Sequence, residues 1–411
     1  MVAVLLAVAV SNCALATPSP RKKPVGTLAD LRVGFDGLLG QYSLLAWGAI
    51  LSTPDHRRAA FNDAVSALNQ NARGLASFVG RIYGDTSATA WLTLWKHGDD
   101  NVLAYAQAVA THNKAQEVQA SNYLIDTYPG LFGAEVAGLT HGGVPADEAS
   151  ARVREAMVAI KAVADQQALR NFNAEGHAFD ELRRAMGVLA RRMSEAVQKQ
   201  FPSRWVGSSD LATLNLRVRL DSLLQQQMFT LAVATRANLA SNIDLYYALF
   251  ARSELLTDAM SGELSAYGGS DFGSSFVTAW KKYTSSLHEF EKACESHDTT
   301  LQKRILGDLS RYGKSICEVF VPPTVNRLVI PPRKGHKRPP APKPSPFLKV
   351  VQNFILANVQ VIRVESHRDS SFGVMRRVWH DTDTLALNIS SLVVGRFGHH
   401  PQPVPPQASG N

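Results

Sequence analysis

The chain has 411 residues, of which 45% are hydrophobic and 19% are charged. This composition is typical of globular proteins, and the length is sufficient for two or three domains with sizeable cores. The net charge of +8 is concentrated in two short segments without acidic residues, at 21–23 and 327–343. Outside them the chain has 34 basic and 35 acidic residues. The charge therefore does not indicate sequence-specific nucleic-acid binding.

The N-terminal segment is typical of an exported protein. An apolar run at 2–10 is followed by Ala14-Leu15-Ala16, a small-x-small pattern that resembles a signal-peptidase site. We expect residues 1–16 to be a signal peptide and residues 17–27 a basic, proline-containing linker, so the predicted location is secreted or extracytoplasmic. The run is too short to span a bilayer, which needs roughly 20 apolar residues. No transmembrane span is predicted elsewhere.

Helical periodicity begins after the linker. Apolar residues recur at the spacing of one helix face, at Leu31, Phe35, Leu38, Leu39, Tyr42 and Leu45. A second helix is expected to start near Thr53 and Pro54 and to end at Gly84. Further helices are expected at about 87–111, 114–128, 147–170 and 174–200. Alternating β-branched runs are nearly absent, so the pattern predicts an all-α protein.

The pattern of the first helix occurs a second time. Residues Leu31–Gln41 and Leu216–Gln226 share seven of eleven positions, and Trp95-Lys96 recurs as Trp280-Lys281 at the same offset of 185. The offset then grows, because Phe179 pairs with Phe372 and Phe201 pairs with Phe397. A preserved order with small insertions indicates a tandem duplication. We therefore predict two copies of a five- to six-helix bundle, at 28–205 and 210–398, followed by a disordered tail at 399–411.

The residues that the two copies share are explained by structural roles. Trp95 and Trp280 lie in apolar helical stripes and are expected to anchor the cores. The Tyr-Gly pairs at 83–84 and 267–268 mark helix ends, where glycine supplies a left-handed backbone. In the first helix of each copy, an aspartate follows an arginine by four positions. These pairs, Arg32 with Asp36 and Arg217 with Asp221, are expected to form ion pairs on the helix surface.

The chain resembles a family of exported bacterial helical-bundle repeat proteins of uncharacterised function. The resemblance rests on the first-helix pattern, on an aromatic residue ten positions after each tryptophan, and on "MSEAVQKQFPSRW" at Met193–Trp205. It implies an all-α fold and no particular reaction. Family members tend to carry a histidine three residues after the tryptophan, which suggests metal binding. Gly98 and Tyr283 occupy that position here, so this implication does not carry over.

Two cysteines would remain after signal cleavage, Cys294 and Cys317. In an exported protein an even pair is able to form a disulfide across a helical hairpin. The alternative is that both are buried thiols, and the sequence does not separate the two.

Histidines and acidic residues give two weak candidates for a metal site. His177 and Glu181 are four positions apart on one predicted helix, and His367 and His380 have acidic neighbours. Such pairs are also common as surface pairs, and no metal or other cofactor is expected.

No nucleophile elbow, Cys/His signature or phosphate loop is present, so we expect no enzyme. An enzyme built between the two bundles remains an alternative for which the sequence names no nucleophile or base.

The segment 321–346 contains nine prolines and six lysines and arginines. Such a composition favours an extended, polyproline-like loop. It is either a solvated spacer or an arm that binds a polyanion or a cell-surface polymer through a set of five basic residues, Arg333, Lys334, Lys337, Arg338 and Lys343. The sequence therefore predicts an exported, non-enzymatic binding or structural protein whose partner protein is unknown, and the alternative is a metal-binding bundle.

Overall fold

The computed structural model describes residues 26–53, 58–207, 212–321, 346–366 and 372–397. These ranges are almost entirely α-helical, which confirms the all-α prediction. The predicted signal peptide, the linker up to residue 25, positions 322–345 of the proline-rich segment and the C-terminal tail lie outside the described residues.

Helices of the first half are α1 (Leu28–Ser52), α2 (Arg58–Tyr83), α3 (Asp85–Ala110), α4 (Lys114–Asn122), α5 (Tyr128–Leu139), α6 (Ala146–Ala168) and α7 (Phe172–Gln200). A π-helical turn at Tyr123–Thr127 joins α4 to α5, so the helix expected to stop near residue 128 continues to Leu139. Thr53, expected to start α2, is instead the C-cap of α1. Helices of the second half are α8 (Ala212–Leu239), α9 (Ile243–Gly268), α10 (Ser270–Glu295), α11 (Thr299–Phe320), α12 (Pro346–Ser366) and α13 (Phe372–Phe397).

The two halves correspond helix by helix. The starts of α2, α3 and α4 lie 185 positions before those of α9, α10 and α11. The helix pairs also match, because α1 packs on α2 and α7 as α8 packs on α9 and α13. This correspondence fits the tandem duplication predicted from the sequence.

The turns that follow the third helix of each half have the same conformation. His112 and His297 have φ angles of 55° and 53°, a left-handed conformation that is uncommon for residues other than glycine. Each is followed by a residue that caps the next helix, Asn113 before α4 and Asp298 before α11.

The glycines before the third helix of each half also correspond. Gly84 and Gly269 have φ angles of 99° and 81° before α3 and α10. The glycine predicted to adopt this conformation in the second half, at position 268, is instead the last residue of α9.

Aromatic clusters fill the core of each half. In the first half Trp95 contacts Tyr42, Trp91 and Phe132. In the second half the equivalent Trp280 is 0% exposed and contacts three aromatic rings, those of Phe276, Tyr283 and Phe354. Both tryptophans are therefore core anchors, as predicted.

Buried positions are consistent with a fixed correspondence between the last helices of the two halves. At an offset of 196, buried residues of α7 coincide with buried residues of α13: Leu189 with Leu385, Met193 with Ile389, and Ser194 with Ser390. The same offset relates Phe201 to Phe397. The predicted pairing of Phe179 with position 372 corresponds to an offset of 193, at which Leu182 and Met375 are also both buried, so that pairing stays a prediction.

A short strand pair joins the beginning of the first half to its end. Strand β1 (Gly26–Thr27) runs parallel to β2 (Trp205–Val206), with Gly26 opposite Trp205. Gly26 and Thr27 were expected to belong to the linker, and they instead tie the start of the first half to its end. Thr27 also caps α1 in a capping box with Asp30.

The apolar helix α12 is long enough to cross a membrane by length and composition alone, over Pro346–Glu365. In the structure it packs against α8, α10, α11 and α13, with Val351, Phe354 and Ile362 buried. A core helix has the same composition, so this observation is weak evidence for a span.

The halves meet along α1 and α8, which run parallel and in register. Three contacts at successive levels join residues 182 to 184 positions apart: Arg32 with Asn215, Trp47 with Phe229, and Ser52 with Arg236. Two further contacts flank this pair, α2 with α13 and α7 with α9. Because α2 corresponds to α9 and α7 corresponds to α13, these two contacts are equivalent. Each lies beside one of two corresponding grooves between the halves.

Candidate functional site

A cavity of about 620 Å³ lies between the two halves, and we call it the cleft. It is lined by α1, the C-terminal part of α2, Trp205 of β2, α8 and α13. Sites for small ligands have volumes of about 300–1,000 Å³ and occur preferentially at domain interfaces. The cleft has the size and the position of such a site.

Glycines shape the walls of the cleft at three points. A Cβ at Gly34 would lie 2.4 Å from the ring of Phe78, so this glycine allows Phe78 to cross α1 closely. A Cβ at Gly37 would meet nothing within 4 Å, which leaves open space on that side. A Cβ at Gly26 would lie 2.9 Å from the ring of Trp205. The strand pair and this glycine together hold the Trp205 ring in the wall.

Asp221 is the most deeply buried carboxyl group of the cleft lining, with 3% of the residue exposed. Its Oδ2 accepts a hydrogen bond of 2.7 Å from Gln225 Nε2. Burial raises the pKa of Asp221 to about 7, and the negative charge of Asp383 adds to the effect. The group is therefore protonated well above the pH range in which an exposed aspartate ionises.

Two hydrogen bonds to Asp221 oppose this rise in part. Thr382 Oγ1 donates to Asp221 Oδ1 over 3.1 Å and also lies 2.7 Å from the carbonyl oxygen of Trp379, so its single proton is shared between the two acceptors. The bonds from Gln225 and Thr382 lower the pKa of Asp221, and the effect of burial outweighs them.

Arg217 does not pair with Asp221, so the predicted ion pair within α8 is wrong. Its guanidinium donates to both carboxylate oxygens of Asp383 on α13, over 2.9 to 3.1 Å. Pairing within a helix was expected from the spacing of four residues, but the packed α13 offers Arg217 a bidentate partner, which is the stronger geometry. Asp221 thereby lacks the cationic partner that the sequence assigned to it.

Three buried polar atoms of the cleft lining have no hydrogen-bond partner among the described residues: Trp205 Nε1, Trp379 Nε1 and Gln225 Oε1. An unsatisfied buried polar group costs about 1–3 kcal/mol. All three atoms are buried behind the surface of the cleft rather than exposed to its open space. A ligand in the cleft would reach them only after a movement of the side chains around them.

The equivalent groove on the other side of the α1–α8 pair is filled. Arg183, the counterpart of Trp379 at the offset of 196, lies against Gly40, where a Cβ would be 2.0 Å from its Nη1. Its guanidinium donates to Ser222 Oγ on α8. The chain therefore has two corresponding grooves, of which an arginine closes one and a tryptophan lines the open one.

The predicted metal ligands do not come together in the structure. His177 and Glu181 are both exposed on α7, and the carboxylate of Glu181 accepts from Arg184. His380 lines the cleft and is exposed, whereas His367 lies outside the described residues. In the described ranges no group of three or more His, Cys, Asp or Glu side chains is placed to hold a metal ion. A metal site in this chain stays a prediction.

The other predicted sites are not tested by the structure. Cys294 and Cys317 are both buried on the packed helices α10 and α11, and a disulfide between them stays a prediction. The five basic residues of the proline-rich arm, at positions 333, 334, 337, 338 and 343, lie outside the described ranges. Their proposed contact with a polyanion also stays a prediction.

Comparison with known proteins gives no relative: no family model matches the chain, and no curated protein or solved structure matches it. The resemblance to exported bacterial repeat proteins therefore stays a prediction.

Proposed function

We propose that the chain is an extracytoplasmic, non-enzymatic binding protein that takes a small polar ligand into the cleft between its two halves. One observation carries this proposal: the cleft of about 620 Å³ lies between the two halves and is lined by polar and charged side chains of both, among them Gln41, Arg217 and His380. Polar side chains in the wall of an open cleft are able to pair with a polar ligand.

The difference between the two grooves supports this proposal. A cavity between two packed halves loses dispersion contacts, and this loss lowers the stability of the folded state. The chain shows one way to close such a groove, because Arg183 occupies the equivalent position on the other side. The open groove has Trp379 at that position, and an open cleft is what a binding site requires.

The walls of the cleft are held in place from both sides, which favours binding without a large rearrangement. At one end of the α1–α8 pair Arg32 Nη1 donates to Asn215 Oδ1 over 2.9 Å. At the other end Arg236 donates to Ser52 Oγ over 3.3 Å. A preformed site loses less conformational entropy when its ligand binds.

The arrangement of the carboxyl groups favours binding over catalysis. Both oxygens of Asp383 accept from Arg217, so this carboxylate is already paired and is a poor general base or nucleophile. Asp221 is held by Gln225 and Thr382. The pKa of Asp221 is in the range of a general base, but the group is 3% exposed and cannot contact a substrate in the cleft directly.

A thermal-shift screen on the full chain tests the proposal. The screen contains neutral saccharides, sugar acids, amino acids, polyamines and divalent metal salts. A ligand that binds only the folded state and is present at a hundred times its Kd adds about 2.7 kcal/mol of stability. That gain moves the midpoint by several degrees in a chain of this size.

Two matched variants locate the ligand. His380→Ala removes an exposed side chain of the cleft lining, and His177→Ala removes an exposed histidine on α7, outside the cleft. We expect the shift to vanish or shrink strongly in the first variant and to persist in the second. The proposal is wrong if no compound raises the midpoint, or if both variants respond as the unchanged chain does.

A further inference from the structure

We propose that the proline-rich segment (321–346) of one molecule binds to an exposed aromatic surface on α9 of a second molecule, so that the protein associates with itself. This inference goes beyond the proposed function and does not involve the cleft. Four observations carry it: the exposed apolar side chains of α9, the polar residues at the equivalent positions of the first half, the opposite charges of the two partners, and the distance between them within one molecule.

Five large apolar residues that are at least 38% exposed lie at the first half of α9 and beside its start, and we call them the α9 patch: Leu169, Ile243, Tyr247, Phe250 and Leu255. Four of them are on α9 itself. The fifth lies next to the start of the helix, because the residue that follows it, Arg170, donates to Asn242 Oδ1 over 3.3 Å. Single exposed apolar residues are normal on protein surfaces, whereas a group of them marks an interaction surface.

Aromatic rings form the middle of this surface. The ring of Tyr247 lies 5.5 Å from that of Tyr246, and the ring of Phe250 lies 4.9 Å from that of His288 on α10. Tyr246 in turn contacts both Phe250 and His288, so the four rings are continuous. Surfaces lined by aromatic rings bind proline-rich segments, since the polyproline conformation is preformed and loses little entropy on binding.

The fold itself does not require the α9 patch. Helix α2 is the counterpart of α9 at an offset of 185. The two most exposed residues of the patch on α9 are Leu255 and Tyr247, and their counterparts on α2 are Gln70 and Asn62. The first half therefore builds the same helix with polar residues at these positions. A partner that covers the surface explains why the second half has apolar ones.

The two partners have opposite charges. Segment 321–346 has six basic residues and no acidic one. Helix α9 has four acidic residues and one basic residue, Arg252, which is turned toward α7 and donates to Asp180. Asp244, Glu254 and Asp258 are exposed. Two of these acids have long ion pairs of 3.5 and 3.9 Å with exposed cations, and such surface pairs contribute little stability. The basic segment is therefore attracted to α9, more strongly at low salt.

Distances within the molecule favour a second molecule as the partner. The segment leaves from the end of α11 and returns at the start of α12, where the rings of Phe320 and Phe347 are 5.7 Å apart. The α9 patch lies toward the opposite end of α11, because Phe250 contacts His288 near the end of α10. A path to the patch and back is about 45 Å along the helices alone at 1.5 Å per residue.

The width of α10 adds to this path. The 24 residues between α11 and α12 span roughly 74 Å when they are fully extended as polyproline. Binding to the patch of the same molecule would use most of this length and restrict the segment strongly. The segment of a second molecule has no such restriction.

Sedimentation velocity on the full chain tests the proposal. We expect the mean mass to rise with protein concentration at low salt and to return to that of the monomer at high salt. The double variant Tyr247→Asn/Leu255→Gln introduces the residues that the first half has at these positions, so it is compatible with the fold. It should weaken the association about tenfold or more, as the loss of a large aromatic anchor does. Leu356→Gln is the matched control, since Leu356 is 60% exposed on α12, and its association should stay within twofold of the unchanged chain.

A peptide titration identifies the segment. A fluorescent peptide of residues 321–346 is titrated into a full chain whose residues 322–345 are replaced by a glycine-serine linker of equal length. We expect the peptide to bind this chain and to bind at least tenfold more weakly when the chain also carries Tyr247→Asn/Leu255→Gln. A peptide with glutamine at its six basic positions should bind more weakly as well, because it loses the attraction to the acidic face of α9.

Three results would overturn the proposal. The first is a full chain that stays monomeric at every concentration, even if the peptide binds, because the segment then does not join two molecules. The second is self-association that is equally strong in the α9 double variant and in Leu356→Gln. The third is self-association that persists when the segment is replaced by the linker.

Discussion

Replacing Asp221 by asparagine should make the stability of the protein less dependent on pH. Burial raises the pKa of Asp221 from 3.8 to about 7. In the unfolded chain the group ionises near pH 3.9. Between about pH 4 and pH 7 the native state therefore holds a proton that the unfolded state has released. The free energy of unfolding falls as pH rises through this window.

The size of the effect follows from the shift. Each pKa unit corresponds to about 1.4 kcal/mol. A shift of this size therefore lowers the free energy of unfolding by at most roughly 4 kcal/mol between pH 4 and pH 7. The amide of Asp221→Asn carries no charge at any pH, and its N–H is able to pair with Gln225 Oε1, which has no partner in the described structure. Relative to the unchanged chain, the variant should gain stability between pH 4 and pH 8 by an amount approaching this limit.

Urea unfolding followed by circular dichroism at pH 4, 5, 6, 7 and 8 measures the effect. Glu175, whose pKa burial raises to about 8, contributes in the same direction in both proteins, so only the difference between them is informative. Asp63→Asn is the control, since Asp63 is exposed on α2, and its difference from the unchanged chain should be flat. The reasoning is refuted if the difference for Asp221→Asn is also flat from pH 4 to pH 8.

Two further predictions concern contacts that hold the halves in place. Glu365→Ala leaves Arg236 as a buried charge without its carboxylate partner and should destabilise by about 3–5 kcal/mol in urea unfolding. Glu155→Ala, which breaks the partly exposed pair with Arg152, should cost less than about 1 kcal/mol; equal losses would contradict the argument. Gly40→Ala places a methyl group against Arg183 and should cost about 1–3 kcal/mol. Gly37→Ala meets no atom within 4 Å and should be neutral or stabilising by up to about 1 kcal/mol, so a loss there equal to that at Gly40 would overturn this account of the filled groove.

The sequence predicted those parts of the fold that depend on local pattern. Apolar residues at helical spacing placed the helices, because each helix buries one face whatever its partners are. The repeated residues also located equivalent turns, including the left-handed glycine before α3. The continuation through the π-helical turn at Tyr123–Thr127 was missed, since that segment has no apolar periodicity of its own to extend the helix.

The cleft was not predictable from the sequence because it depends on the packing of helices far apart in the chain. The spacing of Arg217 and Asp221 indicates an ion pair on one helix, and only the position of α13 shows that Asp383 takes the arginine. One signal was present in the sequence, the run Gln225-Gln226-Gln227. All three glutamines are buried, at 2%, 7% and 0% exposure. A run of buried polar residues in a helix indicates a polar interior. Gln225 lines the cleft, whereas Gln226 and Gln227 donate to residues of α8 and α9.

The most direct test of the central claim is an NMR spectrum of the chain with ¹⁵N-labelled tryptophan. The chain has six tryptophans, so six indole N–H signals are expected, each assignable by one Trp→Phe variant. Trp205 and Trp379 line the cleft, and the other four do not. When a ligand identified by the thermal-shift screen is added, we predict that these two signals shift and the other four stay in place. Shifts confined to the other tryptophans would show that the ligand binds elsewhere, and the cleft would not be the binding site.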